Sequence, residues 1–364
     1  MNTQRLVEWT LFVLSGFLLV YLLNCLIFKN TNIWLKIIIL IIKASAASAL
    51  AFLLIAYASP FLWKYGDLLA GLYVALLGDC LCDLIMIFVS VFSKGGSMKL
   101  RLAISIIATL SIFLYGTINS QIIRQKELSY TSSKLKNRHR FVFFSDLHYG
   151  SAQGQKTVEE ALARINALKP EFVLLGGDIT DEHTTKQQME WLFNQIGALD
   201  APVYYIYGNH DRQIRGDYLG GRKYTEQELV DAIVNNDITI LKDNHVILDD
   251  VAILGREDES NEGRLPLDKL SKVPSEEYLI CVDHSPYHND EIAAMKADLQ
   301  LSGHTHAGQF IPLCLVYTLA KLNVVGEYKI NDTILYVSPG ITGWYYPFRN
   351  ESVCEYELID LIPE

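Results

Sequence analysis

Several features that would mark common protein classes are missing from this 364-residue chain. Its six cysteines form no Cys-x-x-Cys pair and no regular spacing, which argues against a zinc finger or a disulfide framework. Residues 121–364 hold 23 Lys and Arg against 37 Asp and Glu, a net charge of about −14. This acidity argues against nucleic-acid binding, which normally needs a basic stripe. No internal repeat or low-complexity tract is present either.

Long apolar runs are present, and they are concentrated in the first third of the chain. Each is close to the roughly 20 residues that a helix needs to cross a bilayer. We predict membrane helices over residues 9–28, 33–57, 68–92 and 100–119. The first run lacks a small-residue cleavage site, so it is not a simple signal peptide. The sequence therefore predicts a four-helix membrane unit over 1–120, a polar linker over 121–139 and a folded domain over 140–364.

An even number of crossings places the N-terminus and the folded domain on the same side of the membrane. The Lys and Arg residues of the short loops favour an extracytoplasmic domain, whereas counting those of the linker reverses the assignment. We expect a multi-pass protein of a bacterial inner or plasma membrane, with its domain outside the cytoplasm.

Two acids, Asp79 and Asp83, lie four residues apart and hence on one face of the third predicted helix. An acid inside a membrane is costly and is a functional candidate. The alternative is that both face the bundle interior, pair with Lys43 or Lys64, or lie near the membrane boundary.

Asp, Asn and His side chains recur in the folded domain where predicted strands end. Five clusters carry them: Asp146-x-His148, Gly177-Asp178-x-x-Asp181, Gly208-Asn209-His210-Asp211, Asp283-His284 and Gly303-His304-x-His306. Short β-favouring runs alternate with helical patterns here, which predicts a layered α/β fold with ligands at the carboxyl ends of strands. Carboxylate, amide and imidazole groups suit Mn, Fe or Zn. The sequence therefore predicts a site for two divalent metal ions.

These motifs resemble the calcineurin-like metallophosphoesterase family over about residues 140–360. The forms around Arg256, Asp283-His284-x-Pro286 and His304-Thr-His306-Ala-Gly-Gln309 are similar to its membrane-associated YkuE-like and YaeI-like branch. The resemblance implies a four-layer β-sandwich flanked by helices, with a dimetal centre at one edge.

The resemblance also implies roles for individual residues. The first metal would be held by Asp146, His148 and His306, with Asp178 as the bridge, and the second by Asn209, His284 and His304. His210 would act beside the substrate, assisting the leaving group or stabilising charge. Asp181 and Asp211 are expected to orient the ligands rather than bind metal. Candidates for substrate contact are Arg256, Arg349 and Tyr345.

Two closely spaced cations clamp a phosphoryl group and turn a bound water into hydroxide near neutral pH. We therefore expect a membrane-anchored phosphoesterase or phosphodiesterase that hydrolyses a phosphoester or pyrophosphate bond by metal-activated hydroxide attack. Anchoring favours a lipid-linked or envelope substrate, and no protein partner is predicted.

Three other interpretations remain open. One is an enzyme of the UDP-diacylglucosamine pyrophosphatase type in lipid A synthesis, which would require a cytoplasmic domain. Another is a non-catalytic membrane receptor or scaffold that keeps the fold, although the complete ligand set argues against it. The third is a transporter-like protein with a regulatory phosphatase domain, supported only by the two acids of the third helix.

Overall fold

The structure is a computed structural model, and it describes residues 3–27, 32–56, 60–92, 98–151, 153–216 and 221–364. The chain divides into two compact units. The first unit comprises Met1–Asn119 together with two later segments, Phe310–Leu315 and Phe348–Glu351. The second unit comprises Ser120–Gln309, Val316–Pro347 and Ser352–Glu364.

Four apolar helices form the first unit, as the sequence predicted. They are α1 (Thr3–Ile27), α2 (Ile33–Ala56), α3 (Pro60–Phe92) and α4 (Met98–Asn119). All four are long and apolar enough to cross a membrane. The predicted ends at Phe28 and Tyr57 lie outside the described residues. Helix α3 begins at Pro60 rather than at residue 68, because proline is favoured in the first helical turn and hydropathy detects only the apolar core of a helix.

Glycines allow the membrane helices to approach closely. A Cβ atom on Gly71 of α3 would lie 2.6 Å from the backbone of Phe12 in α1. A Cβ atom on Gly78 would lie 2.6 Å from the Cα atom of Thr109 in α4. Small residues at such contacts let the helices pack closely, and van der Waals contact then holds them together, because no hydrophobic driving force acts between helices in lipid.

The buried acids of α3 lie in an ionic cluster inside the first unit. Lys43 Nζ lies 2.6 Å from Asp79 Oδ2 and 2.7 Å from Asp83 Oδ2. Arg101 contacts both carboxylates, and Asn24 donates to Asp79 Oδ2 at 2.9 Å. The pairing with Lys43 considered from the sequence is therefore present, and Arg101 is a second cation. Two cations and two anions balance, as buried charges require.

The second unit contains two six-stranded sheets. The first has the order β1-β12-β2-β3-β4-β5 and the second has the order β10-β11-β9-β8-β7-β6. The strands are β1 (Ile123–Ser132), β2 (His139–Phe144), β3 (Val173–Leu175), β4 (Val203–Tyr205), β5 (Ile238–Ile240), β6 (Asn244–Leu248), β7 (Val251–Gly255), β8 (Tyr278–Val282), β9 (Leu299–Ser302), β10 (Gly326–Ile330), β11 (Thr333–Val337) and β12 (Cys354–Pro363). Strands β2 to β5 are parallel, as are β7, β8, β9 and β11, so each set brings its carboxyl ends to one edge.

Helices cover the outer faces of the two sheets. The remaining helices are α5 (Gln155–Ala167), α6 (Lys186–Gly197), α7 (Glu226–Val234), α8 (Asn289–Met295) and α9 (Leu313–Leu319). Residues of α5, α6 and α7 share one buried cluster with Val142 of β2, whereas Phe143 points the other way and packs against the second sheet. Ile292 of α8 packs against Leu335 and Val337. The layers run helix, sheet, sheet, helix, which confirms the predicted four-layer α/β fold.

The predicted linker over 121–139 is corrected by the structure. Strand β1 occupies most of it and pairs in parallel with β12 over ten residues. Ile123 and Tyr130 are buried, whereas most other side chains of β1 are partly or fully exposed. The stretch is polar because β1 is the edge of the first sheet, where charged side chains discourage pairing with other chains.

Candidate metal centre

The predicted ligands follow the carboxyl ends of parallel strands in both sheets. Asp146 lies two residues beyond β2 and Asp178 three residues beyond β3. In the second sheet, His284 and His304 each lie two residues beyond β8 and β9. Because parallel strands end at the same edge, residues far apart in sequence meet there.

The first group of potential ligands is Asp146, His148 and His306, and all three are buried. His306 Nε2 lies 3.4 Å from Asp146 Oδ1, and His148 Nε2 lies 3.1 Å from His306 Nε2. One potential ligand atom of each residue lies within 4.8 Å of the others. A single cation can be held by three such atoms.

The second group is Asp178, His284 and His304, with the same spacing limit of 4.8 Å. His284 Nε2 lies 3.0 Å from Asp178 Oδ2, and Asp178 Oδ2 lies 3.7 Å from His148 Nε2 of the first group. Asp178 therefore lies next to both groups, as a bridging carboxylate would. Burial opposes ionisation, but the nearby imidazole of His284 holds the pKa of Asp178 well below its usual value.

The backbone is strained at five of these six residues. Asp146, His148, Asp178, His304 and His306 all have positive φ angles, between 43° and 71°. Non-glycine residues rarely adopt this conformation, and such strain concentrates at functional sites. Glycine is needed beside them: a Cβ atom on Gly208 would lie 2.3 Å from Asp178 Oδ1, and one on Gly303 would lie 2.2 Å from Asp146 Oδ2.

Buried polar atoms without hydrogen-bond partners indicate that the residues present fit a metal. His284 Nδ1 lies 2.8 Å from the carbonyl oxygen of Gly176, which fixes the ring and leaves Nε2 for another ligand. Among the described residues, Asn209 Oδ1 has no hydrogen-bond partner, and His284 Nε2 faces the Asp178 carboxylate of its own ligand group. Buried polar atoms are nearly always paired, so the orphaned Asn209 oxygen suits a bound cation.

His210 is held by an acid that the motif analysis did not single out. Its Nδ1 lies 2.6 Å from Oε2 of Glu182, which is fully buried, and its backbone N–H donates to Asp178 Oδ1 at 2.8 Å. Burial opposes protonation, but the negative charges of Glu182 and Asp178 raise the pKa of His210 to about 9. The imidazole can therefore carry a proton at neutral pH.

The two predicted orienting acids lie beneath the ligands. The Asp211 carboxylate accepts hydrogen bonds from the backbone N–H groups of Asp178, Thr180 and Gly208 at 2.8 to 2.9 Å. Burial and the neighbouring Asp178 raise the pKa of Asp211 to about 6. Asp181 Oδ2 lies 3.7 Å from His148 Nδ1, which is the ring nitrogen remote from the first group. Both positions suit residues that orient ligands.

The substrate candidates are placed differently from one another. Arg256 is fully buried, and its guanidinium pairs with Asp243 and donates to the carbonyl oxygen of Leu265, while its Nε has no hydrogen-bond partner among the described residues. A substrate contact of Arg256 stays a prediction. Arg349 is buried in the first compact unit. A substrate contact of Arg349 stays a prediction.

Tyr345 lies in a row of rings that reaches the metal ligands. Its ring centroid is 4.9 Å from that of His183 and 6.3 Å from that of Trp344. Trp344 in turn lies 5.4 Å from His210, which lies 5.3 Å from His148. A substrate contact of Tyr345 stays a prediction, and Trp344 is an additional candidate.

Sequence reasoning left the roles of three residues around the centre unassigned. Glu182 follows Asp181 directly, and spacing alone cannot tell which of the two acids contacts His210. Asp283 is held by Arg264 through two contacts of 3.0 and 2.7 Å, so its carboxylate is engaged in an ion pair beside His284 in the sequence. Trp344 was visible only as one of several aromatics, because nothing local indicates which ring faces a histidine.

Comparisons with known proteins agree with this geometry. Residues 139–308 match the family model described as calcineurin-like phosphoesterase. The chain is 28% identical over 280 residues to a "Transmembrane protein with metallophosphoesterase domain" from Danio rerio, covering 72% of this chain and 62% of that protein. It is 30% identical over 250 residues to an uncharacterized metallophosphoesterase from Helicobacter pylori (strain J99), covering 66% of this chain and 64% of that protein.

A third relative is the uncharacterized metallophosphoesterase YkuE from Bacillus subtilis (strain 168). The two chains are 28% identical over 220 residues, which cover 58% of this chain and 74% of YkuE. This chain spans slightly under two thirds of the length of the Danio rerio and Helicobacter pylori relatives.

Proposed function

We propose that this chain hydrolyses a phosphoester or pyrophosphate bond at a membrane, because it carries the calcineurin-like metallophosphoesterase domain that its motifs predicted. The observation that carries the proposal is the pair of adjacent three-residue groups, each with ligand atoms within 4.8 Å of one another. Four membrane-capable helices make it a membrane protein, as the name of the Danio rerio relative also suggests.

Each group would hold one divalent cation, with Asn209 Oδ1 completing the second. The carboxylate and imidazole donors suit Mn, Fe or Zn, and they do not select one of these. When bound, such ions neutralise phosphoryl charge and make water nucleophilic near neutral pH. Asp211 and Asp181 keep the ligands in place.

His210 would donate a proton to the departing oxygen. Glu182 occupies its Nδ1, which leaves Nε2 as the nitrogen that can face a substrate. The Glu182 carboxylate raises the pKa of His210 and so favours the protonated imidazole that a general acid requires. A poor leaving group, such as an alkoxide, gains most from this proton.

The proposed substrate is a phosphate or pyrophosphate ester carried by a lipid. Whatever the arrangement of the two compact units, His306 precedes Phe310 by only four residues, which span at most about 14 Å. Phe310 belongs to the unit of the membrane helices and packs on Tyr73 of α3, with ring centroids 5.3 Å apart. A metal ligand thus lies a short stretch of chain from a residue packed on the membrane helices, which favours an ester that stays in the bilayer. We keep the predicted extracytoplasmic placement of the domain as part of the proposal.

The test compares metal-stripped with Mn-, Fe- or Zn-reloaded full-length protein in detergent micelles. Substrates are mononitrophenyl and bis-nitrophenyl phosphate, followed by a phosphatidate and a lipid pyrophosphate in mixed micelles. We expect hydrolysis that depends on metal and a metal content of two ions per chain. His304→Ala should lower both the metal content and the rate.

His245→Ala is the matched control, since His245 lies on β6, outside both groups, and contacts Ser271. It should keep full metal content and rate. Two bound metals without hydrolysis of any ester would support the non-catalytic interpretation and refute the proposal. Faster hydrolysis of the lipid pyrophosphate than of the phosphatidate would favour the pyrophosphatase alternative.

A further inference from the structure

Exposed apolar side chains cluster in one short segment of the C-terminal half. Among the described residues from Ser120 onward, ten large apolar side chains are exposed. Five of the ten lie within twelve consecutive residues, at Ile311, Leu315, Val316, Leu319 and Leu322. Leu319 has 74% of its surface exposed. A concentration of this kind marks an interaction surface rather than ordinary water-facing surface.

The exposed residues form one face of helix α9 and of the turn after it. Leu315 and Leu319 are four residues apart, which places them on the same side of α9, and Leu322 follows in the turn after the helix. Leu313 at the start of α9 is buried. Residues 310–322 contain no acid and one cation, Lys321. A helix face with these properties is typical of helices that lie in a membrane interface.

The chain that leads into α9 is packed among the membrane helices. Phe310 and Ile311 belong to the same compact unit as α1 to α4. The hydroxyl of Tyr73 in α3 donates to the carbonyl oxygen of Ile311 at 2.8 Å, and its ring meets Phe310 edge to face. Phe310 also stacks on Phe348 of the same unit, with centroids 5.9 Å apart.

These contacts fix the depth at which α9 begins. Phe348 stacks on Trp9, with centroids 6.0 Å apart, and it lies so close to Gly116 that an added Cβ atom would be 2.2 Å from its ring. Trp9 lies two residues after the start of the first candidate span, Val7–Cys25. Gly116 lies three residues before the end of the fourth, Met98–Asn119. The pair Phe310 and Phe348 therefore lies toward one end of the first and fourth spans, where the tails of a surrounding bilayer would meet its headgroups.

We propose that α9 is an interfacial helix that inserts the side chains of Leu315, Val316, Leu319 and Leu322 into the bilayer. The occupant of this apolar face is lipid, because the face continues from a segment packed at the end of the membrane spans. Lys321 adjoins it and can contact lipid phosphates. This membrane contact is additional to the four spans and does not depend on the proposed hydrolysis.

The experiment measures collision of a spin label with oxygen and with a nickel chelate. Oxygen concentrates in lipid, whereas the chelate stays in water. Full-length protein carrying Cys25→Ser and Cys314→Ser, which removes the two cysteines that are not buried, is reconstituted in nanodiscs of phosphatidylcholine and phosphatidylglycerol. The label is attached at Leu319→Cys, with Leu315→Cys as a second position on the same face should the first variant fail to fold.

Val234→Cys on α7 is the matched control, because Val234 is also apolar and 54% exposed. We expect the label at 319 to collide at least several-fold more often with oxygen than with the chelate, and the label at 234 to show the opposite preference. Equal chelate accessibility at 319 and 234 would overturn the proposal. Protection of the label at 319 from both reagents, together with dipolar broadening of its spectrum at full labelling, would also overturn the proposal. A second copy of the chain would then cover α9.

Discussion

The contact between Glu182 and His210 makes a prediction that separates catalysis from structural support. Glu182→Gln removes the negative charge 2.6 Å from His210 Nδ1 but keeps a side chain of the same size that can accept a hydrogen bond. A hydrogen bond to a charged group contributes about 1.5–3 kcal/mol, and a neutral one about 0.5–1.5 kcal/mol. The difference of about 1.4 kcal/mol corresponds to a fall of about 1 in the pKa of His210.

This change should affect ester hydrolysis according to the leaving group. Phenyl phosphate releases a more basic oxygen than nitrophenyl phosphate, so it depends more on the proton from His210. We expect Glu182→Gln to lower kcat for phenyl phosphate about tenfold, equivalent to about 1.4 kcal/mol. The loss for nitrophenyl phosphate should be only about threefold, since that leaving group needs little protonation.

The pH profile supplies a second readout. A general acid must be protonated, so activity falls as pH rises through its pKa, which is raised to about 9 for His210. Removing the charge of Glu182 lowers that pKa, and the alkaline limb of kcat/KM should therefore move to lower pH. Metal content should not change, because Glu182 belongs to neither ligand group.

The control is Glu190→Gln, a solvent-exposed acid on α6 that should leave both rates and the profile unchanged. Equal losses with the two esters, together with an unmoved alkaline limb, would mean that Glu182 only supports the fold. Full activity with both esters would mean that the contact with His210 plays no part in hydrolysis. Either result would refute the proposal that Glu182 assists proton donation by His210.

Three further changes test other parts of the molecule. Gly208→Ala places a methyl group 2.3 Å from Asp178 Oδ1, so metal content measured by plasma mass spectrometry should fall below two ions per chain while circular dichroism stays unchanged. Lys43→Met leaves two buried carboxylates with one cation fewer, and breaking such a pair costs about 3–5 kcal/mol, so the thermal unfolding midpoint in detergent should fall clearly below that of Lys36→Met. Burial disfavours the charged form of His139, but hydrogen bonds to two carboxylates raise its pKa. The stabilisation of the folded protein by charged His139 is thus complete below about pH 6.5 and is lost as pH rises through the raised pKa. His139→Gln should therefore flatten this part of a plot of the thermal unfolding midpoint against pH.

The ionic cluster among the membrane helices bears on whether the first unit is an anchor or a transporter. Both acids of α3 contact Lys43 and Arg101, so their charges are matched inside the bundle. This arrangement explains how two carboxylates can lie in an apolar helix without a substrate or an ion. It favours an anchoring role for the membrane helices over the transporter-like interpretation.

The features that the sequence predicted well are those encoded locally. Hydropathy over about 20 residues reveals a membrane helix because the bilayer imposes that length on one continuous segment. Strand β3 and the Gly-Gly-Asp178 turn after it can likewise be recognised from neighbouring residues, since a buried apolar run ends abruptly at a polar group. The motif spacings carried the family resemblance for the same reason.

The boundaries of the elements were less predictable where partners are distant. Strand β1 pairs with β12, which begins more than 200 residues later, and its polar edge-strand composition resembles that of a linker. Arg256 has a sequence context similar to that of a substrate residue, yet its guanidinium is enclosed by Asp243 and Leu265. Neither outcome is visible from local composition.

The sequence by itself therefore determined the four membrane spans, the layered α/β fold and the set of residues able to bind two metals, because periodicity and short motifs depend on neighbouring residues. Only the tertiary structure decided that Glu182 rather than Asp181 contacts His210, that Arg264 pairs with Asp283, and that Leu315 and Leu319 of α9 remain exposed. Each of these depends on which segments pack together across long sequence separations, and packing of that kind is set by the whole chain rather than by any one stretch of it.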